Sequence, residues 1–202
     1  MIQMDSAQIK NYIEAIGPWH YCWKLPSNHL TGDSAPNLIP EKMPMMIESG
    51  AFARDSYPEV LDLGANSGYI SKWFVENKDS HVLAVERGEK FWLQLNFIVE
   101  VYGLESRIAT MNAPIEACAW MISAPYDLII FLGTLHHIQR KHHDKIFEHC
   151  FQALRPGGEI VIQTKREEDV IQKFEAAGFE DADLLYWSDK QERGAWVAKR
   201  PK

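Results

Sequence analysis

Cysteine is scarce in this chain of 202 residues, and its three copies, Cys22, Cys118 and Cys150, are far apart and odd in number. A disulfide framework is thereby excluded, and a reducing, cytoplasmic setting is the expectation. Long apolar runs are missing too. None approaches the roughly 18 residues that a membrane span needs, and Met1-Ile2-Gln3-Met4-Asp5 lacks the basic and then apolar stretches of a secretory signal. Nor is there a surplus of positive charge: 21 Lys and Arg stand against 28 Asp and Glu, a net charge of −7. A protein that holds a phosphate backbone draws its affinity from Lys and Arg, so neither nucleic acid nor a membrane surface is the expected partner. The charge is also dispersed, at −3 over 1–59, −4 over 60–137, +1 over 138–162 and −1 over 163–202. No Cys-x-x-Cys or His-x-x-x-His pair is present, so no metal site is expected. Internal repeats and low-complexity tracts are absent.

What remains is an ordinary globular composition, 46% hydrophobic, at a length that suits one domain with a short appendage. Ile9, Tyr12, Ile13 and Ile16 recur at helical spacing, so 5–16 reads as an amphipathic helix capped by Asp5 or Ser6. Six of the ten prolines fall within 17–58, which predicts loops and short helices there. From Val60 the pattern alternates. Apolar strands are expected at 60–63, 81–85, 108–111, 128–132 and 159–163, with helices at 67–77, 89–102, 114–121, 142–154 and 167–177. The fully apolar Leu128-Ile129-Ile130-Phe131-Leu132 suits a strand covered on both faces. Arg155-Pro156-Gly157-Gly158 reads as the turn that ends a helix, and 183–188 with 194–199 as a hairpin around a polar turn. Strict alternation predicts a doubly wound α/β fold, mostly parallel, with an antiparallel hairpin at the C-terminal edge. In such sheets ligands sit beyond the carboxyl ends of the strands.

The first loop there is Asp62-Leu63-Gly64-Ala65-Asn66-Ser67-Gly68, a glycine-rich turn opening onto a helix N-terminus. A dinucleotide fingerprint would be G-x-G-x-x-G, but Asn66 and Tyr69 stand at its second and third glycines. A nicotinamide oxidoreductase is therefore disfavoured. Asn66 still tolerates a left-handed backbone. Glu86 ends the second strand, where a carboxylate can accept from both hydroxyls of a ribose. Asn112 opens the third loop, with an amide able to read an adenine edge.

These residues carry a family likeness. Val60 to Gly68 resembles the first motif of the class I S-adenosylmethionine-dependent methyltransferases, and Glu86 matches the acidic residue of their second. Tyr126 to Ile138 resembles their fourth motif, and Ala153 to Ile162 the turn into their fifth strand. The resemblance implies a Rossmann-like, seven-stranded sheet over 58–202, with 1–57 left as an N-terminal helical or loop cap or lid. It implies S-adenosyl-L-methionine as cofactor. Asp62, Gly64, Ala65, Asn66, Ser67 and Gly68 would hold its methionine part, and Glu86 its ribose, with Arg87 beside the adenine. Asn112 and Ala113 would face the adenine, and Leu132 and Gly133 would lie near the reacting methyl.

His136 and His137 follow the fourth strand. His136 is the candidate general base, with a purely structural role as the other reading, and His137 is assigned to the acceptor pocket. Trp19, His20, Tyr21 and Trp23 concentrate aromatic surface in five residues. They read either as a plug fastening the N-terminal segment to the sheet or as a lid that shapes the acceptor site. Gly17-Pro18-Trp19, Leu25-Pro26 and Thr31-Gly32 are weakly similar to a branch related to tRNA wobble-uridine alkyl transferases. The expectation is a methyltransferase acting on an oxygen or nitrogen of a small molecule. The alternatives are a tRNA- or RNA-modifying methyltransferase and a cofactor-binding regulatory module without catalysis.

Overall fold

Strand and helix alternate from Glu59 to the C-terminus in the computed structural model, which describes residues 5–19, 22–31, 42–117, 125–165, 169–189 and 191–202. The strands are β1 (Glu59–Leu63), β2 (His81–Val85), β3 (Ile108–Met111), β4 (Tyr126–Leu132), β5 (Leu154–Lys165), β6 (Glu180–Ser188) and β7 (Arg193–Lys199). They form one seven-stranded sheet in the order β3-β2-β1-β4-β5-β7-β6. The first five run parallel, and β7 is antiparallel to both β5 and β6. The expected sheet is therefore present, with the antiparallel β6–β7 hairpin at its C-terminal edge; within that hairpin β7 lies beside β5 and leaves β6 outermost.

Alternation along each strand explains the double winding. Leu61, Leu63, Ile129, Phe131, Ile160 and Ile162 point to one face. There they meet Ile146, Phe147 and Cys150 of α5 (His143–Ala153) and Phe174 of α6 (Val170–Ala177). Val60, Val82, Ala84, Leu128, Ile130 and Val161 point to the other. That face is covered by Phe74 of α3 (Tyr69–Lys78), Leu95 and Val99 of α4 (Glu89–Val101), and Met43 and Met46 of α2 (Lys42–Glu48). With both faces covered, the strands are buried on both sides.

The N-terminal helix α1 (Ser6–Ala15) starts at Asp5, whose carboxylate accepts from the Gln8 N–H in a capping box. Its apolar stripe, Ile9, Ile13 and Ile16, packs with Trp23 and Leu25 on Phe97 and Ile98 of α4. Each buried isoleucine contributes about 1.5–3 kcal/mol there. Gln94 of α4 fastens the same seam, donating to the carbonyls of Ile16 and Pro18 at 2.7 and 3.1 Å. The next stretch is tied to β5, where Tyr57 donates to Glu159 at 2.8 Å and Arg54 pairs with the same carboxylate.

Two element boundaries differ from the reading of the sequence. Arg155 to Gly158 lies inside β5 rather than in a turn before it, because the Gly157 N–H finds the carbonyl of Arg200 and the strand register slips opposite Tyr126 and Leu128. Of the helix expected at 114–121, residues 115–117 form one helical turn, residue 114 precedes it, and 118–121 lie outside the described residues. No described helix is long and apolar enough to cross a membrane.

Candidate functional site

The loop after β1 winds through three positive φ angles, at Gly64 (82°), Asn66 (52°) and Gly68 (84°). Such a path turns its backbone N–H groups toward β2. The amides of Gly64 and Ala65 both donate to the Val85 carbonyl. The Asn66 amide donates to Glu86 Oε2 at 2.9 Å, and the Gly88 amide to Glu86 Oε1 at 2.8 Å. Both carboxylate oxygens are thus anchored by backbone, and each retains a second lone pair for a hydroxyl donor. The carbonyls of Glu86 and Arg87 are held in turn by the Asn112 side-chain amide at 2.8 and 3.1 Å. Asn112 therefore buttresses the loop that carries Glu86.

Gly64 and Gly68 make room for protein side chains. A Cβ on Gly64 would come within 2.2 Å of Thr134 Oγ1, and one on Gly68 within 2.4 Å of Leu95 Cδ1. The loop is locked between the Thr134 turn and helix α4. Tyr69, at the third position of the glycine pattern, packs against Trp23 with ring centroids 5.5 Å apart.

Asp62 lies beneath this loop, 3% exposed, and accepts a 2.7 Å hydrogen bond from the Ser71 hydroxyl. Burial pushes its carboxyl up from 3.8 to about 6; the Ser71 hydroxyl opposes that rise and the nearby Glu86 adds to it. The folded state therefore holds this proton more tightly than the unfolded chain. The group's contribution to stability is full below about pH 4 and is lost as pH rises to about 6. The swing is roughly 3 kcal/mol. Asp62→Asn, which buries no charge, flattens this part of the stability curve of the ligand-free protein, as urea titrations from pH 4 to 7 will read. An unaltered slope would show that the carboxylate is not desolvated.

Above the loop opens a cavity of about 380 Å³, within the range of small-ligand sites. The loops after β1, β2 and β3 give it Gly64, Asn66, Glu86, Arg87, Phe91, Ile115 and Glu116. The loop after β4 gives Leu132, Gly133, Thr134, His137 and Ile138, and the start of β7 gives Arg193. Arg87 and Glu116 pair with each other at 3.0 Å.

Seven of the residues singled out in the sequence meet on this wall: Gly64, Asn66, Glu86, Arg87, Leu132, Gly133 and His137. Asp62, Ala65, Ser67 and Gly68 lie behind it as support, and Ala113 packs against the core cluster on the α5 face. His136 turns from the wall toward Thr164 Oγ1 and Arg193 Nη2, each at 3.5 Å. A guanidinium only donates, so that contact sets the lone pair of His136 Nε2 on Arg193 and leaves the ring proton on Nδ1, facing Thr164. His137, whose ring lies beside it at 4.2 Å between centroids and is tilted by 43°, is the imidazole that reaches the cavity. Trp19 donates to the Ile13 carbonyl at 3.1 Å and packs edge-on against Phe97. Trp23, 5% exposed, donates to Ser67 Oγ at 3.0 Å. Both tryptophans thus behave as the plug rather than as cavity wall, while His20 and Tyr21 fall outside the described residues.

The cavity also has walls that the sequence reading missed: Phe91, Ile115, Glu116, Thr134, Ile138 and Arg193. Phe91 carried a local signal, an aromatic one turn into the helix that follows Glu86. Arg193 carried none, since only the insertion of β7 beside β5 brings it here.

Residues 60–158 match the family model described as a methyltransferase domain. The chain is 27% identical over 105 residues to the tRNA U34 carboxymethyltransferase of Cellvibrio japonicus, an alignment that covers 52% of this chain and 32% of that protein. It is 21% identical over 172 residues to the ubiquinone biosynthesis O-methyltransferase of Psychrobacter cryohalolentis, covering 81% and 65%. The chain thus spans less than two thirds of the length of either relative. Among solved structures, the N-terminal domain of EvdMO1 with SAH bound has the same fold, with a TM-score of 0.77, 15% identity and coverage of 99% of this chain and 98% of that one.

Proposed function

We propose that this chain, whose residues 60–158 match the family model described as a methyltransferase domain, is a class I S-adenosylmethionine-dependent methyltransferase that methylates an oxygen or nitrogen of a small molecule. The observation that carries this reading is Glu86. Its carboxylate is fixed by two backbone amides at the end of β2, keeps acceptor capacity on both oxygens and faces a cavity with apolar Phe91 and Ile115 beside it. This donor set suits a ribose diol joined to a flat heterocycle. Glu86 takes the hydroxyls, Phe91 and Ile115 flank the ring, and Gly64 and Asn66 present backbone to the amino-acid part. The 15% identity to the SAH-bound domain adds only that the fold accommodates such a group in another protein.

S-adenosylmethionine, when bound, supplies an already activated methyl group. What the chain must add is alignment and the exclusion of water, which account for much of the acceleration in such transfers. Leu132, Gly133 and Thr134 form the floor at the end of β4, where the acceptor meets the cofactor. His137 Nδ1 or Nε2 receives the acceptor's proton if that proton leaves late. His136, proposed from sequence as the base, instead positions Arg193. Residues 1–57 serve as a cap that steadies the cofactor loop through Trp23 and Ser67. The tRNA-modifying relatives align over 105 residues only and leave most of their own length unmatched, and the net charge of −7 favours a small acceptor over a polynucleotide.

Thermal unfolding with S-adenosylmethionine, SAH or NAD tests the reading. The first two raise Tm by several degrees at saturation and NAD does not. Stabilisation by NAD alone sinks it. Transfer of labelled methyl groups to a panel of small phenols and amines then separates an enzyme from a binding module. With any acceptor found, His137→Ala slows transfer about tenfold or more while SAH affinity stays within twofold. Wild-type rates in that variant would remove His137 as the base.

A further inference from the structure

The two cations on the cavity wall, Arg87 and Arg193, differ in their partners. At the β2 and β3 end, Arg87 is matched by Glu116. At the β4 and β7 end, Arg193 reaches the wall and makes no ion pair among the described residues. Its side-chain polar contact among those residues is a 3.5 Å approach to His136 Nε2. Two carboxylates are close in sequence, yet neither neutralises it. Asp189 Oδ1 accepts from the Trp187 indole at 2.7 Å, and Glu192, exposed and in a left-handed turn, makes no ion pair among the described residues either. The residue directly across the β5–β7 ladder from Arg193 is Lys165, a second cation. Like charges set opposite each other in a sheet destabilise it, and a partly buried cation without a counter-charge is costly. Both costs fall if an anion occupies this end of the cavity.

We propose that the methyl acceptor carries an anionic group, a carboxylate or a phosphate monoester, and that Arg193 receives it. The inference rests on the methyltransferase reading and names the chemical class of its acceptor. The sheet order places β7 three strands from β1, about 14 Å at the usual strand spacing. The anion therefore enters on the far side of β4 from Glu86, where the acceptor sits. A planar guanidinium binds either group through two parallel N–H donors. His136 holds the fork in place, since its Nε2 lone pair accepts from Nη2 and leaves the other donors for the ligand. His137, on the same wall, then faces the nucleophilic atom of an acceptor held by its anionic end.

The cofactor's own carboxylate is the other source of an anion, and the test distinguishes the two. The protein is saturated with SAH, and Tm is read with millimolar benzoate, phenyl phosphate or neutral benzyl alcohol, at ionic strength matched with sodium chloride. SAH affinity is measured in parallel by calorimetry. Expected are a rise of 2 °C or more with benzoate or phenyl phosphate and none with benzyl alcohol. Arg193→Met abolishes that rise, Arg193→Lys keeps part of it, and both variants bind SAH within twofold of the parent. Equal anion shifts in parent and Arg193→Met, or no shift in the parent, overturn the proposal. A tenfold or greater loss of SAH affinity in Arg193→Met, with no anion effect, assigns the guanidinium to the cofactor and overturns it as well. Failure of the parent to bind SAH instead defeats the methyltransferase reading on which this one stands.

Discussion

Glu86→Ala weakens SAH binding by about 5- to 150-fold, the equivalent of the 1–3 kcal/mol carried by hydrogen bonds to a charged group. The loss has two sources. The ribose hydroxyls lose their acceptor, and the amides of Asn66 and Gly88 lose the carboxylate that orients them. Glu86→Gln separates these effects. It keeps one oxygen as acceptor and turns the other position into a donor that clashes with an amide N–H, so its affinity falls between those of the parent and the alanine variant. Calorimetry with SAH reads both. The fold itself changes little, because the released amides lie at the cavity mouth, where water replaces the carboxylate. An unchanged affinity in Glu86→Ala would remove this residue from the site.

Gly64→Ala has an effect of comparable size through the backbone. The added Cβ would lie 2.2 Å from Thr134 Oγ1, 2.7 Å from its Cγ2 and 2.8 Å from its Cβ, so no rotamer of Thr134 escapes. To this overpacking, about 1–3 kcal/mol, the left-handed φ of 82° adds about 1–2 kcal/mol for any residue with a Cβ. The variant loses about 2–5 kcal/mol of stability in urea unfolding, and its SAH affinity falls with it. Adding Thr134→Gly recovers the steric part and leaves the φ cost in place. Thr134→Ala recovers less, because its Cβ remains. Stability within 0.5 kcal/mol of the parent in Gly64→Ala would contradict this loop geometry.

The sheet was legible because its signals are local. Apolar runs such as Leu128 to Leu132 announce buried strands, the spacing of Ile9, Ile13 and Ile16 announces a stripe, and Asn66 tolerates the backbone that its loop requires. Gly64, Asn66, Glu86 and Arg87 met at one cavity for the same reason, since their loops follow the strands directly. What was not legible depends on strand order or side-chain direction. Nothing in 189–193 signals that β7 inserts beside β5, so Arg193 read as part of a polar turn. His136 and His137 are adjacent, and which of them faces the cavity is decided by Thr164 and Arg193, 28 and 57 residues further on. For Trp19 and Trp23 the sequence favoured a plug for at least one of them without saying which, and α4 supplied the surface that both cover. The glycines of the first loop read as room for a ligand, whereas the space beside them is filled by Thr134 and Leu95.

Helix α4 faces two interiors. Leu95 and Val99 belong to the sheet, while Phe97 and Ile98, with Gln94, belong to the N-terminal segment. This division constrains how such a chain can evolve. The cofactor half can exchange its N-terminal segment for one that closes over a different acceptor, provided that these three outward positions on a single helix change in step. The sheet, the first loop and Glu86 need not change at all. Descendants that diverge in acceptor should therefore record their history on the outer face of α4, in paired substitutions with Ile9, Ile13 and Leu25, while its inner face stays the same.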